Sequence, residues 1–429
     1  MDSSELQTKR TLRFSFLDGI FASGMVGFVQ DYLTPFLILL GATARQIGAL
    51  NAFPNLFASL IQLKSADLVE RTKSRRKLFT VTVFLQALML LPMAFIAFKQ
   101  TATPAIFIIL VVLFTCFGAL ATPAWASLMS NLVANDQRGQ YFGWRNKTLG
   151  FVTVGAAFIA GFILQQMKRT NIFYGFAVLF TCAFCFRMVS WFFLTKMHEP
   201  LLRQDDKDRF TFFEFLARIK ESNFAQFVLF VSLMNFSVNL ASPFFAVLML
   251  RELGFSYFLY AIITVTATLT VNATISRWGR HADKVGNLKI IRLAAPLIGT
   301  LPMLWIINRH PLFLFFIQIL SGFAWAGFNL CTMNFIYDAV TPEKRTRCIA
   351  YFNVLNGIAL CCGALLGGFL LQKLPALFGY RILMLFLISS LLRISVALLI
   401  PQRLKEVRPV KEIKSAQLFF SMIGIRPLV

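Results

Sequence analysis

The sequence predicts an all-α membrane protein of twelve transmembrane helices, arranged as two pseudo-symmetric six-helix bundles with both termini in the cytoplasm. Three observations lead to this fold class: the composition, the number of long apolar segments, and the distribution of Lys and Arg between them. Of the 429 residues, 57% are hydrophobic and only 14% are charged. A soluble domain is typically about 25% charged, so this composition is typical of a chain whose solvent is lipid.

The number of apolar segments predicts the number of spans. A membrane-spanning helix needs about 20 mainly apolar residues. Twelve segments are long enough, and they are 14–40, 45–63, 78–98, 104–131, 141–166, 171–194, 223–250, 255–276, 288–308, 311–338, 347–372 and 377–400. The fourth, fifth, tenth and eleventh contain Asn, Gly and Trp, which is expected where a helix faces water or a solute.

The basic residues predict the orientation of these spans. With a cytoplasmic N-terminus, 32 of the 42 Lys and Arg residues fall in cytoplasmic segments and 8 in external ones. Such an excess of positive charge in cytoplasmic loops sets the orientation of membrane proteins. The net charge of +23 is then concentrated where anionic lipid headgroups lie, so anionic lipids are expected partners and nucleic acid is not.

The longest polar connection separates two halves of the chain. The predicted organisation is an N-terminal bundle over 1–194, a cytoplasmic linker over 195–222, a C-terminal bundle over 223–400 and a cytoplasmic tail over 401–429. Within the linker, TFFEFLARIK is amphipathic, as expected of a helix on the membrane surface. No cleaved targeting segment is predicted, and we expect a monomeric multi-pass protein of the plasma (inner) membrane.

The two halves repeat each other. A shift of 207 residues places PAWASLMSNLVANDQRGQYFGWRN on LCTMNFIYDAVTPEKRTRCIAYFN, so that Asn146 pairs with Asn353. Nearly the same shift pairs Arg187 with Arg393. These arginines and Arg145 are expected to extend to the cytoplasmic surface or to join charged residues there. An internal repeat of this length predicts two related bundles.

The connection after the eighth span carries a charged motif. In GRHADKVG, Gly279, Asp283 and Gly286 have the spacing Gly-x-x-x-Asp-x-x-Gly, and Arg280 and Lys284 are its basic members. With two six-span halves in the same orientation, this motif strongly resembles the major facilitator superfamily, and the resemblance covers nearly the whole chain.

The connection after the second span keeps the charges of this motif but neither glycine. Its charged members are Asp67, Arg71, Arg75 and Arg76. The resemblance implies that both connections form a cytoplasmic gate whose charged groups pair in one state and separate in the other. Alternatively, the positive charges serve only to retain the topology.

Polar and Trp residues inside the spans are the candidate solute residues. In folds of this superfamily the solute binds near the middle of the membrane between the two halves. The candidates are Gln30, Asp31, Asn51, Asn55, Trp125, Asn146, Asn235, Asn239, Trp325, Asn329 and Asn353. The alternative role of the asparagines, which their residue type favours, is to form hydrogen bonds between helices.

Asp31 is the candidate for proton coupling. The stretch Asp31-Tyr32-Leu33-Thr34-Pro35 resembles the acidic residue and proline in the first span of proton-coupled multidrug antiporters of the superfamily. The alternative is an aspartate at the membrane interface. The fifth span, with LGFVTVGAAFIAGFIL, has glycines but lacks the proline of those antiporters, so the resemblance to them is incomplete.

These features predict secondary active transport of a small organic solute by alternating access, with proton-coupled efflux as one form of it. The alternatives are a transport-inactive sensor or partner subunit, a uniporter, and a lipid-handling protein. The chain has no phosphate-binding loop, no HExxH helix and only three dispersed histidines, so no enzymatic activity, cofactor or metal is expected. The Cys182-x-x-Cys185 pair lies in an apolar segment and is expected to be inert.

Overall fold

The computed structural model describes residues 3–100, 103–133, 138–199, 222–340, 342–407 and residue 421. Fifteen α-helices occur within these ranges, together with short 3₁₀ or π turns and one isolated bridge between Leu377 and Tyr380. The helices are α1 Ser3–Val29, α2 Leu33–Leu39, α3 Ala44–Gln62, α4 Ser65–Thr72, α5 Arg75–Lys99, α6 Pro104–Leu132, α7 Arg138–Met167, α8 Ile172–Thr195, α9 Asn223–Asn239, α10 Phe245–Val247, α11 Tyr257–Val285, α12 Asn287–Ile307, α13 Pro311–Ala339, α14 Pro342–Lys373 and α15 Arg381–Leu399. The predicted linker helix, TFFEFLARIK, lies outside the described residues.

The helices confirm an all-α membrane protein. Eleven helical stretches of the described residues are long and apolar enough to cross a membrane. The segment 45–63, predicted as the second span, forms α3, but α3 is not one of these eleven. Arg45, Gln46, Asn51 and Asn55 are distributed along this helix of 19 residues, so it contains no stretch of 18 residues that is apolar enough.

Local sequence determines where several helices begin. The Thr43 side chain and Gln46 form a reciprocal capping box at the start of α3, and Asn171 accepts a hydrogen bond from the Phe173 N–H at the start of α8. Pro104 occupies the first position of α6, where a backbone N–H would have no acceptor within the helix.

The first span is interrupted by a proline. A 3₁₀ turn, Gln30–Tyr32, separates α1 from α2. Pro35 cannot donate to the carbonyl four residues earlier, which belongs to Asp31, and its ring crowds that carbonyl. The Asp31 carbonyl instead accepts a hydrogen bond from the Tyr260 hydroxyl at 2.8 Å. The break therefore places Asp31 in a turn rather than inside a continuous helix.

The helices pack into two compact units. Unit 1 consists of Met1–Asp205 with Phe245–Val265, and unit 2 of Asp206–Phe244 with Thr266–Val429. In unit 1, α5 packs against α6 and α8, and α1 packs against α7 and α8. In unit 2, α12 packs against α13 and α15, and α9 packs against α14 and α15. The order of pairing is the same in each unit, as a repeated sequence would produce.

Apolar side chains lie both inside the units and on their outer surface. In unit 1, Phe36 is fully buried among other phenylalanine rings, and in unit 2 the rings of Phe227 and Phe335 stack with their centroids 4.1 Å apart. On the outside, Phe95 is 61% exposed and Leu399 is 69% exposed. An outer surface this apolar is expected of a protein solvated by lipid.

Candidate functional site

A cavity of about 270 Å³ lies inside unit 1, between α1, α5, α6, α7 and α8. Its volume is just below the range of roughly 300–1,000 Å³ that is typical of small-molecule sites. Three charged residues border it: Asp18, Arg145 and Arg187. The remaining lining residues are small or apolar apart from two hydroxyls and one indole, and they are Gly19, Ala22, Ser23, Val26, Phe79, Val83, Gly118, Ala121, Thr122, Trp125, Leu149 and Leu194.

A chain of hydrogen bonds links Asp18 to Arg187. The Ser190 hydroxyl donates to Asp18 Oδ1 at 2.6 Å and accepts from Arg187 Nη1 at 3.1 Å. Arg187 also donates through Nε and Nη2 to Gln86 Oε1, at 2.9 and 2.6 Å. All four side chains are buried. A buried charge is tolerated in a membrane protein when polar groups surround it in this way.

Two glycines make room for these polar side chains. A Cβ atom on Gly118 would lie 2.4 Å from Gln86 Nε2, and one on Gly19 would lie 2.5 Å from Arg145 Nη2. Both distances are far below van der Waals contact. The glycines are therefore needed for Gln86 and Arg145 to occupy their positions.

Arg145 and Trp125 form the part of the cavity wall with unused hydrogen-bond donors. Arg145 is 7% exposed, donates through Nη2 to the Ser15 carbonyl at 3.1 Å, and has its guanidinium carbon 4.6 Å from the centroid of the Trp125 ring. This is cation–π distance. Arg145 Nε and Trp125 Nε1 are buried and have no hydrogen-bond partner among the described residues. Buried donors are rarely left unpaired in native proteins, so a water molecule or a bound solute is expected to accept from them.

The repeat partner of Arg187 in unit 2 has a different environment. Arg393 is buried and donates to Ser389 Oγ at 3.0 Å and to the carbonyls of Val238 and Ile298 at 3.1 and 3.4 Å. No carboxylate of the described residues bonds to it. The expectation that Arg187 and Arg393 extend to the cytoplasmic surface is therefore wrong, because both side chains are buried and bind interior polar groups.

Trp125 is the one predicted solute residue that lines this cavity among the described residues. Asn51, Asn55 and Asn239 each donate to the carbonyl four residues earlier in their own helix. Asn235 donates to Asn356 Oδ1 at 2.7 Å and so joins α9 to α14. These contacts match the alternative role of the asparagines, in which they form hydrogen bonds within and between helices.

The other predicted solute residues are dispersed. In unit 1, Gln30 and Asn146 are exposed. In unit 2, Trp325 packs edge-on against Phe328 with the ring centroids 5.7 Å apart, Asn329 is exposed and Asn353 is half-buried. Their part in solute binding stays a prediction.

Asp31 has a fixed backbone, and its carboxylate has no hydrogen-bond or ion-pair partner in the part of the chain that the structure describes. Tyr260 holds its carbonyl, and the hydroxyl of the neighbouring Tyr32 donates to the Ala157 carbonyl. The Tyr32 and Tyr260 rings meet edge-on with their centroids 6.3 Å apart. The Asp31 side chain is half-buried, and no described residue forms a hydrogen bond or ion pair with its carboxylate.

Glu199, which was not predicted as a site residue from the sequence, forms hydrogen bonds with two of the predicted gate residues. Glu199 accepts hydrogen bonds from Ser74 Oγ, from the backbone N–H groups of Arg75 at 2.8 Å and Arg76 at 3.1 Å, and from Arg75 Nε at 3.2 Å. We call these four residues the Glu199 cluster. Burial raises the pKa of Glu199, but the hydrogen bonds outweigh it and hold this pKa below its usual range. The cluster ties the segment after α8 to the start of α5.

Unit 2 contains a matching carboxylate. Glu406 Oε2 accepts from the backbone N–H of Leu288 at 2.7 Å, at the start of α12. Gly286 precedes this helix with φ of +87°, and a Cβ there would lie 2.4 Å from Glu406 Oε2. Glu406 follows Glu199 by 207 residues, which is the shift that pairs Asn146 with Asn353. That spacing was the sequence signal from which the two carboxylates could have been found.

The other gate residues of unit 1 lie apart from Glu199. Asp67 and Arg71 are exposed on α4, a helix of eight residues. Asp67 pairs with Lys64 of the same unit at 3.5 Å, with both side chains more than half exposed. A pair this exposed is worth at most about 1 kcal/mol.

The motif of the second half lies on a helix rather than in a connection, because α11 continues to Val285. Gly279 lies within this helix, and a Cβ atom added to it would lie 3.6 Å from Leu330 Cδ2. Gly286, with a positive φ, follows the last residue of the helix. The charged members of the motif are exposed on its last turns, and they are Arg280, Asp283 and Lys284.

Comparison with known proteins identifies the family of this chain. Residues 19–306 and 227–427 match the family model described as Major Facilitator Superfamily. No curated protein sequence matches the chain significantly.

Solved structures of similar fold are transporters. A crystal structure of the nucleoside transporter NupG is similar with a TM-score of 0.68 and 14% identity, covering 91% of this chain and 97% of that one. A bacterial homolog of the human lysosomal transporter Spinster, inward-facing and unoccupied, has a TM-score of 0.66 and 13% identity, covering 92% of this chain and 95% of that one. At these identities the likeness shows the fold alone. Because the family match extends over nearly the whole sequence, the chain belongs to the major facilitator superfamily and is a multi-pass membrane transporter of solutes, not an enzyme.

Proposed function

We propose that the protein carries out secondary active transport of a small organic solute by alternating access, and that the solute binds in the cavity of unit 1. The cavity itself is the observation that supports this site. Three buried charged groups border it, and two buried donors at its wall have no acceptor among the described residues. Charged groups inside a membrane protein are costly and mark solute or ion pathways.

The topology belongs to the same proposal. The chain crosses the plasma membrane twelve times, with α3 as the least apolar span and both termini in the cytoplasm. Its bundles are 1–194 and 223–400, joined by the linker 195–222 and followed by the tail 401–429, and it acts as a monomer. The distribution of basic residues and the recurrence of the same helix pairings in each unit support this arrangement.

The solute is found first by binding and then by flux. Purified protein is screened for thermal stabilisation against nucleosides, hexoses, amino acids, aromatic carboxylates and aromatic amines, because a binder stabilises the folded state by mass action. The binder is then labelled for uptake into proteoliposomes. We expect saturable uptake that falls at least about tenfold in Asp18→Asn and stays unchanged in Glu70→Gln, an exposed residue of α4. Binding without uptake would instead favour the sensor alternative.

The gate residues are proposed to act with the two carboxylates at the helix starts. Arg75 and Arg76 meet Glu199, and Gly286 meets Glu406. These contacts hold the starts of α5 and α12 in the state that is closed on the cytoplasmic side, where Asp67, Arg71, Gly279, Arg280, Asp283 and Lys284 contribute charge and spacing. Cysteine accessibility on both faces tests this gate, since Glu199→Gln and Glu406→Gln together should shift labelling toward the inward-open pattern. An unchanged pattern would contradict the gate.

Asp31 is proposed as the proton-coupling carboxylate, with proton-coupled efflux as one form of the transport. Its carboxylate has no partner among the described residues, and such a group is free to gain and lose a proton as its surroundings change. Uptake is measured across a series of imposed pH gradients. Asp31→Asn should abolish the dependence on the gradient while leaving solute binding intact, and a gradient dependence equal to that of the wild type would refute this role.

A further inference from the structure

We infer that the cavity of unit 1 takes an organic anion, whose carboxylate binds at Arg145 and Trp125. This inference rests on the proposed function, since it names the solute class of that same site. The charge balance of the cavity, the unused donors and the apolar remainder of the wall support an anion.

The charged groups at the cavity do not balance. Two guanidinium groups, of Arg145 and Arg187, face one carboxylate, of Asp18, and no other charged residue among those described lines it. Arg187 uses its donors on Gln86 and Ser190, which are neutral. A net positive charge buried away from water is unfavourable until an anion accompanies it. A bound monoanion would bring the site to neutrality.

The unused groups of the wall are donors. Arg145 Nε and Trp125 Nε1 both lack acceptors among the described residues, and the guanidinium lies against the indole ring. A carboxylate offers two acceptor oxygens, and its hydrogen bonds to a guanidinium are among the stronger ones in proteins. An ammonium group has only donors and cannot satisfy either nitrogen.

The rest of the wall favours a compact, ring-bearing solute. Phe79, Val83 and Leu149 face the cavity beside the Trp125 indole. A volume of about 270 Å³ is small for a drug-sized ligand. A monocarboxylate with one or two aromatic rings therefore fits the charge, the donors and the space.

A cation bound to Asp18 is the competing arrangement. Asp18 already accepts a hydrogen bond from Ser190 through Oδ1. A cation there would add a third positive charge beside Arg145 and Arg187, and it would leave both unused donors unpaired. The charge balance therefore favours the anion.

The test uses matched solutes that differ only in charge. Binding of phenylacetate and indole-3-acetate to the purified full chain is compared by calorimetry with binding of phenylacetamide, indole-3-acetamide, phenethylamine and tryptamine. We expect at least one carboxylate to bind about tenfold or more tightly than its amide, and the amines not to compete. If neither carboxylate binds, or if an amine binds as well as its carboxylate, the inference is overturned.

Variants assign the effect to the two donors. Arg145→Gln should lower carboxylate affinity at least about tenfold, and Trp125→Phe, which keeps a ring but loses the N–H, about threefold to tenfold. Lys147→Gln is the matched control, because it removes an exposed positive charge from the same helix. If Arg145→Gln does not fold, the carboxylate affinity of Trp125→Phe still tests the assignment. Affinity unchanged in the folded variants would refute the assignment.

Flux separates this inference from the function on which it rests. The same solutes are presented to proteoliposomes. Transport of an amine or amide, without preference for the carboxylate, would refute the anion site and leave the transport proposal standing. Tight carboxylate binding that depends on Arg145, without any flux, would support the anion site and refute the transport proposal.

Discussion

Glu199 connects the end of one helix to the start of another, and its replacement by Gln measures the strength of that connection. The carboxylate accepts four hydrogen bonds, from Ser74 Oγ, two backbone N–H groups and Arg75 Nε. Gln keeps the shape and one acceptor oxygen, so we expect about half of these bonds to be lost. Arg75 is 2% exposed and would lose its counter-charge.

The magnitude follows from these contacts. A hydrogen bond to a charged group contributes roughly 1.5–3 kcal/mol, and breaking a buried ion pair costs roughly 3–5 kcal/mol. Glu199 is 14% exposed, so water can replace part of what is lost. We therefore expect Glu199→Gln to lower the free energy of unfolding by about 2–4 kcal/mol.

The measurement is reversible unfolding of the purified protein in mixed micelles, followed by circular dichroism. Glu70→Gln removes an exposed carboxylate from α4 and should change stability by less than about 0.5 kcal/mol. Arg75→Gln combined with Glu199→Gln should be less destabilising than the sum of the single changes, because the two residues share one interaction. A loss in Glu199→Gln no larger than that in Glu70→Gln, or strict additivity of the pair, would refute the reasoning.

Three further outcomes follow from Glu199 and from two glycines described above. The pKa of Glu199 lies below its usual range, so its contribution to stability is complete at neutral pH and is lost as the pH falls below about 4.5. When the free energy of unfolding is measured between pH 7 and pH 3, it should therefore decline less in Glu199→Gln than in the wild type. Gly118→Ala places a Cβ 2.4 Å from Gln86 Nε2 and should reduce both thermal stability and solute uptake, whereas Gly155→Ala, with open space around it, should leave both unchanged. Gly286→Ala combines a φ of +87° with a collision against the capping carboxylate, and it should destabilise by about 1–3 kcal/mol in the same unfolding assay.

Much of the fold could be predicted from the sequence because membrane helices are encoded by local composition. Length and apolarity locate a span without knowledge of its neighbours. The same criterion failed for the ends of helices, where composition changes before the structure does. α11 runs through the polar residues Arg280 and Lys284 to Val285, since its backbone hydrogen bonds continue regardless of the side chains.

The candidate site was harder to predict because it depends on contacts between distant residues. Arg187 and Arg393 occupy equivalent positions, yet only Arg187 is linked to a carboxylate among the described residues. Nothing within α8 reveals that Gln86 and Asp18 lie beside it, 101 and 169 residues away in sequence. Trp125 was predicted as a solute residue from its place in a polar span, but the unused donors beside it became visible only in the structure.

The two capping glutamates also bear on how the chain is made. The N–H groups that open α5 find their carboxylate 124 residues later, and the N–H of Leu288 finds its own 118 residues later. At about 5–20 residues per second, a ribosome needs roughly 6–25 s to supply Glu199 after Arg75. Until then these N–H groups lack their carboxylate, although the Ser74 hydroxyl can already accept from the Lys77 N–H at the start of α5. A chain truncated before Glu199 or Glu406 would therefore lack the carboxylate that binds the start of the corresponding helix.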